Sequence, residues 1–574
     1  MHHLQEKKWE LKKCEPEAVE RLVREGIASP LLARLLLNRV SCDGTTAAAF
    51  FAPTLAGLHD PFLMLGMEAA VERLVQAVAD RERVCIHGDY DVDGITSVVL
   101  LLTFFRALDI DAFYIIPDRL VDGYGLSGEA VRKAAGQGAR VMVTVDCGIT
   151  AVAEATLCAD AGVDLVITDH HTPGDVLPDA CAVINPHRAG CPYPFKSLAG
   201  VGVAFNLAIA MRSRLRDRGF FSGRDEPKLR EYLDLVALGT IADVVPLVDQ
   251  NRILVKHGLV ELAQSKRPGV QALKKVSGIT GEVGCGAVGF RLAPRLNAAG
   301  RLENASMAVE LLLSEDLRNA ERLAAALDAG NVERQAVERE ILNDALKIVK
   351  GNAVFKGRKS IVLASEKWHP GVIGIVASRL VDLYHRPTIL ISLKDGNGKG
   401  SGRSIAAFHL HEALAACAEH LVKFGGHRHA AGLTIAEETL EQFVERFDQV
   451  ADGLLTAEDL IPVLFLDAEL KAEELTPELV GELDKMKPFG MGNPEPLFLL
   501  RDARVLESRI VKDTHLKLRL QTGNRKLDAI AFSMAGRAAA GDRIDLAFSP
   551  AINNWNGRSS LQLTVKDLRR AGGI

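Results

Sequence analysis

Residues 85–97 read CIHGDYDVDGITS, so that His87, Asp89, Asp91 and Asp93 fall within seven positions and Gly94 follows. Asp89, Asp91, Asp93 and Gly94 match the opening of a calcium-binding EF-hand loop. That loop needs a bidentate Glu at its twelfth position, and counting from Asp89 the twelfth residue is Leu100. The flanks point elsewhere. Upstream, RVCIHG is short, apolar and β-branched, as a buried strand is; downstream, ITSVVLLLTFF reads as a helix. An acidic cluster between a strand and a helix belongs to an open α/β sheet, where ligands collect beyond the carboxyl ends of the strands.

Outward from this stretch, apolar strands alternate with Ala-rich helical runs over about residues 71–250: RVCIHG, DAFYIIP, ARVMVTVD and VDLVITD. That alternation predicts a parallel sheet. VMVTVDCGIT ends one strand on Asp146, LVITDHHTPG ends another on Asp169, His170 and His171, and ALGTIADVVPL supplies Asp243 after a helical run. If the strands are parallel neighbours, His87, Asp91, Asp93, Asp146, His170 and Asp243 reach one crevice. Carboxylates with a minority of imidazoles suit Mn2+ or Mg2+ rather than a structural zinc. Six such ligands suit two ions about 3.5–4 Å apart, an arrangement that serves phosphoryl chemistry. Singly, each motif is weak, because a strand-end Asp is as often a helix cap and a buried His a satisfied core residue. Their convergence carries the reading.

The 574 residues predict three or four domains, and 48% apolar and 25% charged residues are those of an ordinary globular chain. No apolar run approaches the ~20 residues of a membrane span, and MHHLQEKKWE has no apolar leader core, so a cytoplasmic protein is expected. Nine cysteines without a CxxC pair argue against a disulfide framework and a thiolate zinc site. From Arg501 onward there are 14 Lys and Arg against 7 Asp and Glu, although the whole chain carries −5. A basic end on an acidic chain points to a polyanionic partner.

Five segments are expected: a helical segment over 1–65, an α/β domain over 66–300, a linking helix over 301–350 with a break at Ala329–Asn331, a smaller α/β domain over 351–455, and short alternating strands over 456–574. The last, basic segment fits a β-barrel of the OB type.

HGDYDVDG, VDCGIT, TDHH and GTIADVVPL resemble, in order, the four metal motifs of the DHH phosphoesterase superfamily. IPDRLVDGYGLS, RLNAAGRL, WHPGVIGIVASRL, GSGRS, FGGHRHAAG and KPFGMGNPEP further resemble the RecJ family of single-strand-specific 5′→3′ DNA exonucleases. The resemblance covers essentially the whole chain. It implies a DHH catalytic domain, a DHHA1 domain beyond the linking helix, and an OB-like barrel that grips the strand. It also implies two divalent ions, one on His87, Asp91 and Asp146, the other on Asp93, Asp146, His170 and Asp243, with Asp146 shared. Asp89 and Asp169 would orient ligands, and His171 would face the scissile phosphate, so that Asp146, His171 and Asp89 lie nearest the chemistry. Hydrolysis would release 5′-mononucleotides.

For the DNA path the resemblance offers Ser401, Arg403, Gly425, Gly426 and His427, where glycine amides and a planar guanidinium suit phosphate. Arg119, Arg295 and Arg301 are further candidates, with ion pairs between domains as their plainer reading. Tyr124 and Tyr114 could stack on bases or simply pack. The implied setting is a monomer acting in repair and recombination beside a helicase and a single-strand-binding protein. The rival is a phosphodiesterase for short oligonucleotides or cyclic dinucleotides, which has no need of a basic barrel. A scaffold that had lost catalysis would be expected to lack ligands, and all six are here.

Overall fold

The computed structural model describes residues 6–40, 43–117, 123, 125–302, 305–352, 355, 357–555 and 558–572. The chain forms two compact units. One is built mainly from Pro294–Leu464; the other joins Trp9–Pro117, Tyr124–Ala293 and Phe465–Ile574.

A short strand, β1 (Lys8–Leu11), opens the chain. A five-stranded sheet follows: β2 (Val84–Gly88), β3 (Ala112–Ile115), β4 (Val141–Val145), β5 (Asp164–Thr168) and β6 (Ala182–Ile184). All neighbours run parallel in the order β3-β2-β4-β5-β6. Every residue of β2 and β4 is buried, which is why both read as continuous apolar runs rather than alternating ones. From β2 the chain crosses to β3 on one side, then returns to β4 on the other. The carboxyl ends of β2 and β4 therefore flank the switch point at which such sheets bind ligands.

The unit built mainly from Pro294–Leu464 holds β7 (Ile361–Ser365), β8 (Thr388–Lys394), β9 (Asn397–Arg403), β10 (Lys423–Gly426) and β11 (Ala430–Ala436), in the order β10-β11-β9-β8-β7. The expected linking helix is in fact two: Ser306–Leu313, then Leu317–Gly351. The longer one runs unbroken past Gly330, against the expected break. Asn331 is buried there and accepts hydrogen bonds from Arg334 (3.3 and 3.1 Å), and Arg334 pairs with Glu338 one turn on at 2.6 Å. These contacts fix the turn that glycine alone would loosen. Ile341, Ala345, Leu346 and Val349 of this helix enter the core formed with Ile361, Leu363 and Leu390.

After β12 (Val463–Leu466), which pairs with β1, come β13 (Ala468–Glu469), β14 (Phe498–Val511), β15 (His515–Thr522), β16 (Arg525–Ala531), β17 (Arg543–Trp555) and β18 (Arg558–Arg570). The strands β14-β15-β16-β18-β17 close into a five-stranded barrel through the β14–β17 pairing. This is the OB-like barrel expected from the sequence. Its core does not end with its own strands: Leu22, Leu32, Leu35, Leu36 and Phe50 of the N-terminal helices pack into it with Leu516, Leu518 and Phe548. Asp467 binds both parts, accepting from Arg39 (3.1 Å) and Lys12 (3.2 Å). Among the described residues no helix is long and apolar enough to cross a membrane.

Candidate metal centre

The acidic motifs after β2, β4 and β5 leave the carboxyl ends of those strands, and Asp243 follows the helix Leu233–Ala242. Asp91 caps the helix Val92–Ala107, its Oδ1 accepting from the amides of Asp93 (2.9 Å) and Gly94 (3.1 Å). The cap reading of this residue is thus correct, and it leaves the second carboxylate oxygen for other work. Asp93 is buried and accepts from the amides of Gly200 (2.6 Å) and Val201 (2.8 Å), which open the helix Gly200–Asp217. Asp146 sits one residue past β4 in the left-handed conformation, at φ 59°. An L-residue adopts that conformation at a cost, and here it turns a buried carboxylate toward the neighbouring strand ends.

These side chains converge. His170 Nε2 lies 3.1 Å from Asp146 Oδ1, 3.7 Å from Asp243 Oδ2 and 3.9 Å from Asp93 Oδ2. Three sets of ligand atoms each fit within 4.8 Å: Asp93, His170 and Asp243; Asp89, Asp91 and Asp146; and Asp146, His170 and His171. The first matches three of the four ligands expected for one ion. In the second, Asp89 stands where the sequence reading put His87. His87 is fully buried at the end of β2, with Nε2 3.3 Å from the Gly125 carbonyl, and belongs to none of the three sets.

The electrostatics ask for a cation. Burial, then the charge of Asp91, pushes Asp93 up to about 7. Burial, then Asp93 and Asp91, pushes Asp243 up to about 9, and the same crowding holds Asp146 well above the carboxylate range. Burial, then His171, drives His170 down to about 4, which keeps it neutral as a metal ligand requires. Acidic oxygens and a neutral imidazole crowded together out of water are a donor set that fits a hard divalent ion.

Asp169 has a different task. Its Oδ1 accepts from the His170 amide (2.7 Å), the His171 amide (3.0 Å) and His171 Nδ1 (2.7 Å), while Oδ2 accepts from the Ile149 amide (2.9 Å). Burial opposes ionisation, but the bonds from His171 and Ile149 prevail and hold Asp169 below its usual range. Burial likewise opposes charge on His171, and Asp169 overcomes it, so His171 is raised and favours the imidazolium.

Three family patterns match the chain: the DHH family N-terminal domain over residues 83–240, the DHHA1 domain over 357–453 and the RecJ OB domain over 466–567. The single-stranded-DNA-specific exonuclease RecJ of Dickeya dadantii is 42% identical over 94% of this chain and 96% of its own. The chain belongs to the RecJ family. RecJ of Escherichia coli is 39% identical over 94% of this chain and 96% of its own. The crystal structure of RecJ from Thermus thermophilus with Mn2+ superposes at a TM-score of 0.85, with 33% identity, over 99% of this chain and 80% of that one; the same protein is also known with Mg2+.

Other residues expected to serve a RecJ-type activity are placed unevenly. Ser401 and Arg403 lie on β9, and Gly425 and Gly426 on the edge strand β10; Gly425, Gly432 and Ser401 form one row across three strands. A groove of about 540 Å³ runs there, lined by Lys399, Ser401, Lys423 and Gly425. Arg403 donates to Ser401 Oγ (3.3 Å) and the Gly402 carbonyl (2.7 Å), while His427 is exposed in the β10–β11 turn. Arg295 pairs with Asp328 at 2.8 Å, within one compact unit. Tyr114 is on β3. Arg119, Tyr124 and the Arg301 side chain lie outside the described residues.

Sequence reasoning missed Gly200 and Asn185. A Cβ on Gly200 would fall 2.6 Å from Asp146 Oδ1, so only glycine lets this helix bring its amides to the carboxylates. Asn185 donates to the His171 carbonyl at 2.9 Å and accepts from the His187 amide at 2.7 Å, closing the back of the histidine loop. Gly200 sits in AGVGVAF and Asn185 in INPH, neither of which carries a ligand signature.

Proposed function

We propose that this chain is a metal-dependent 5′→3′ exonuclease on single-stranded DNA that hydrolyses phosphodiesters to 5′-mononucleotides. The observation that carries the reading is the set of carboxylates and imidazoles gathered around Asp146 and His170 at the switch point. The names of its RecJ relatives and the Mn2+ and Mg2+ held by one of them support it. Asp91, Asp146 and His87 would hold one ion, and Asp93, Asp146, His170 and Asp243 the other, with Asp146 shared and Asp89 beside the first. Divalent ions at this place supply Lewis-acid charge for phosphodiester hydrolysis.

The chain's own groups do the rest. His171, whose protonated form Asp169 favours, donates toward the non-bridging phosphate oxygens as their charge grows. Asp93 keeps its place through two amides of the helix Gly200–Asp217, so the cluster does not splay when its charges are unbalanced. Ser401, Arg403 and the amides of Gly425 and Gly426 bind a phosphate of the strand. The basic barrel holds the strand upstream without reading sequence. In this reading the enzyme works as a cytoplasmic monomer in repair and recombination, supplied with single strands by a helicase and a single-strand-binding protein.

The test is digestion of long single strands labelled at either end, with Mn2+, with chelator, and with Asp146→Ala. Metal-dependent release of mononucleotides from the 5′ end, abolished in the variant, is expected. Activity confined to dinucleotides or cyclic dinucleotides would replace this reading with the small-substrate one.

A further inference from the structure

The stretch KPFGMGNPEP, residues 487–496, has no part in the proposed chemistry, yet it meets the chain just beyond Asp243. Asp243 ends the helix Leu233–Ala242, its amide donating to the Gly239 carbonyl at 2.9 Å. Val244 follows in the left-handed conformation at φ 61°, although it is β-branched and 60% exposed. A helix that ends this way usually has glycine there, so the valine is held in place by what surrounds it. Three residues past Val244, the Leu247 amide donates to the Met491 carbonyl at 2.7 Å. The Pro246 carbonyl accepts from buried Asn251 at 3.0 Å.

The other side of this contact is closed on itself. Gly490 and Asn493 exchange backbone hydrogen bonds of 2.9 and 3.2 Å. The fully buried Asn493 side chain donates to the carbonyls of Met486 and Pro488, both at 2.8 Å. A Cβ on Gly490 would fall 2.7 Å from Leu247 Cδ1 and 3.2 Å from Cγ; one on Gly492, at φ 72°, would fall 3.1 Å from Pro246 Cβ. The turn, held by the Asn493 side chain, presents its two glycines to residues 246 and 247. Only Val244 and Val245 separate those residues from the carboxylate-bearing Asp243.

We infer that the turn Gly490–Asn493 is a positioning element for Asp243, fixing through Pro246 and Leu247 where that carboxylate stands in the metal centre. The inference rests on the metal reading above. It assigns to the segment before the barrel a task in assembling the catalytic site, separate from gripping DNA.

The test is calorimetric titration of Mn2+ into the full chain and into Gly490→Val, Leu247→Ala and the double variant, with thermal melting to establish folding. Residues that orient metal ligands typically affect metal affinity 10–100-fold. Folded Gly490→Val is therefore expected to bind Mn2+ about 10-fold more weakly. Adding Leu247→Ala, which empties the space the new methyls need, should restore most of that loss. Equal affinity in the folded single variant overturns the inference, as does a loss that Leu247→Ala leaves untouched. If Gly490→Val does not fold, Gly492→Ala against Pro246 is read in the same titration, weaker Mn2+ binding supporting the inference and unchanged binding overturning it. An unsubstituted chain that takes up no Mn2+ would overturn the metal reading itself, and this inference with it.

Discussion

Asp169 and Asp146 are both buried carboxylates one residue beyond a central strand, and they do opposite things. Asp169 collects four donors and keeps its charge through them, whereas the ionised form of Asp146 is destabilised by burial and then by the acids it faces. An amide in place of the first would turn an N–H donor onto the Ile149 amide or the histidine loop and remove the charge that favours the His171 imidazolium. Asp169→Asn should therefore lower single-turnover cleavage about 10–100-fold while strand binding in a filter assay is retained. Unchanged cleavage would remove His171 from the chemistry. At this scale the convergence of Asp93, His170 and Asp243 and of Asp91 with Asp146 was legible, because D-x-D-x-D-G and DHH are dense and follow buried strands. Which acid binds and which orients was not legible, since that depends on amides brought from residues 149 and 200.

Among the elements, the two long helices show what periodicity can and cannot reveal. The helix Leu317–Gly351 was legible in extent, but the expected break at Gly330 was a local inference that Asn331, Arg334 and Glu338 override. Gly330 has nothing within 4 Å of its missing Cβ, so Gly330→Ala should stabilise the chain by roughly 0.5–1 kcal/mol, seen as a higher urea midpoint. A lower midpoint would mean that the helix bends there after all. The helix Asp249–Ala263 carries Arg252, which is buried among carbonyl oxygens rather than beside a carboxylate. Its guanidinium donates to the carbonyls of Phe50 (2.8 Å), Met486 (2.9 Å), Lys485 (3.3 Å) and Lys487 (2.9 Å) and lies over the Phe50 ring. One side chain thus joins the N-terminal helices, the catalytic domain and the approach to the barrel. Arg252→Met leaves those carbonyls without donors and should cost about 3 kcal/mol or more, measured by denaturant unfolding; a cost under about 1 kcal/mol would mean that water takes over the bonds. No sequence pattern announces such an arginine, because its partners are backbone atoms from distant segments.

For the molecule as a whole, the barrel was legible from alternation and charge, and its position was not. The N-terminal leucines looked like those of any amphipathic helix, and nothing in them specifies that their partner core lies at the opposite end of the chain. Removing the barrel would strip that cover from Leu22, Leu35 and Leu36, so truncation is a poor test of strand gripping. Substitution on the surface is cleaner. Arg509, Lys517 and Arg519 line a groove on the outer face of β14 and β15, with Glu507 and Asp528 on either side of Arg519. Replacing the three by Ala should weaken binding of a long single strand and reduce the slope of log affinity against log salt by about 2. Cleavage of a trinucleotide should be unaffected. An unchanged slope would place the strand on another face of the barrel.

The shared core of the first helices and the last strands also sets a timetable for synthesis. Roughly 460 residues lie between Leu36 and Phe498, and at about 5–20 residues per second the ribosome needs on the order of 25–90 s to cover them. For that interval the nascent chain carries a leucine-rich surface whose partner has not yet been made. The catalytic domain can complete its own sheet meanwhile, but the N-terminus must wait. This makes the emerging chain a natural client for chaperones, and refolding from denaturant, where both ends are present at once, an easier task than folding during translation.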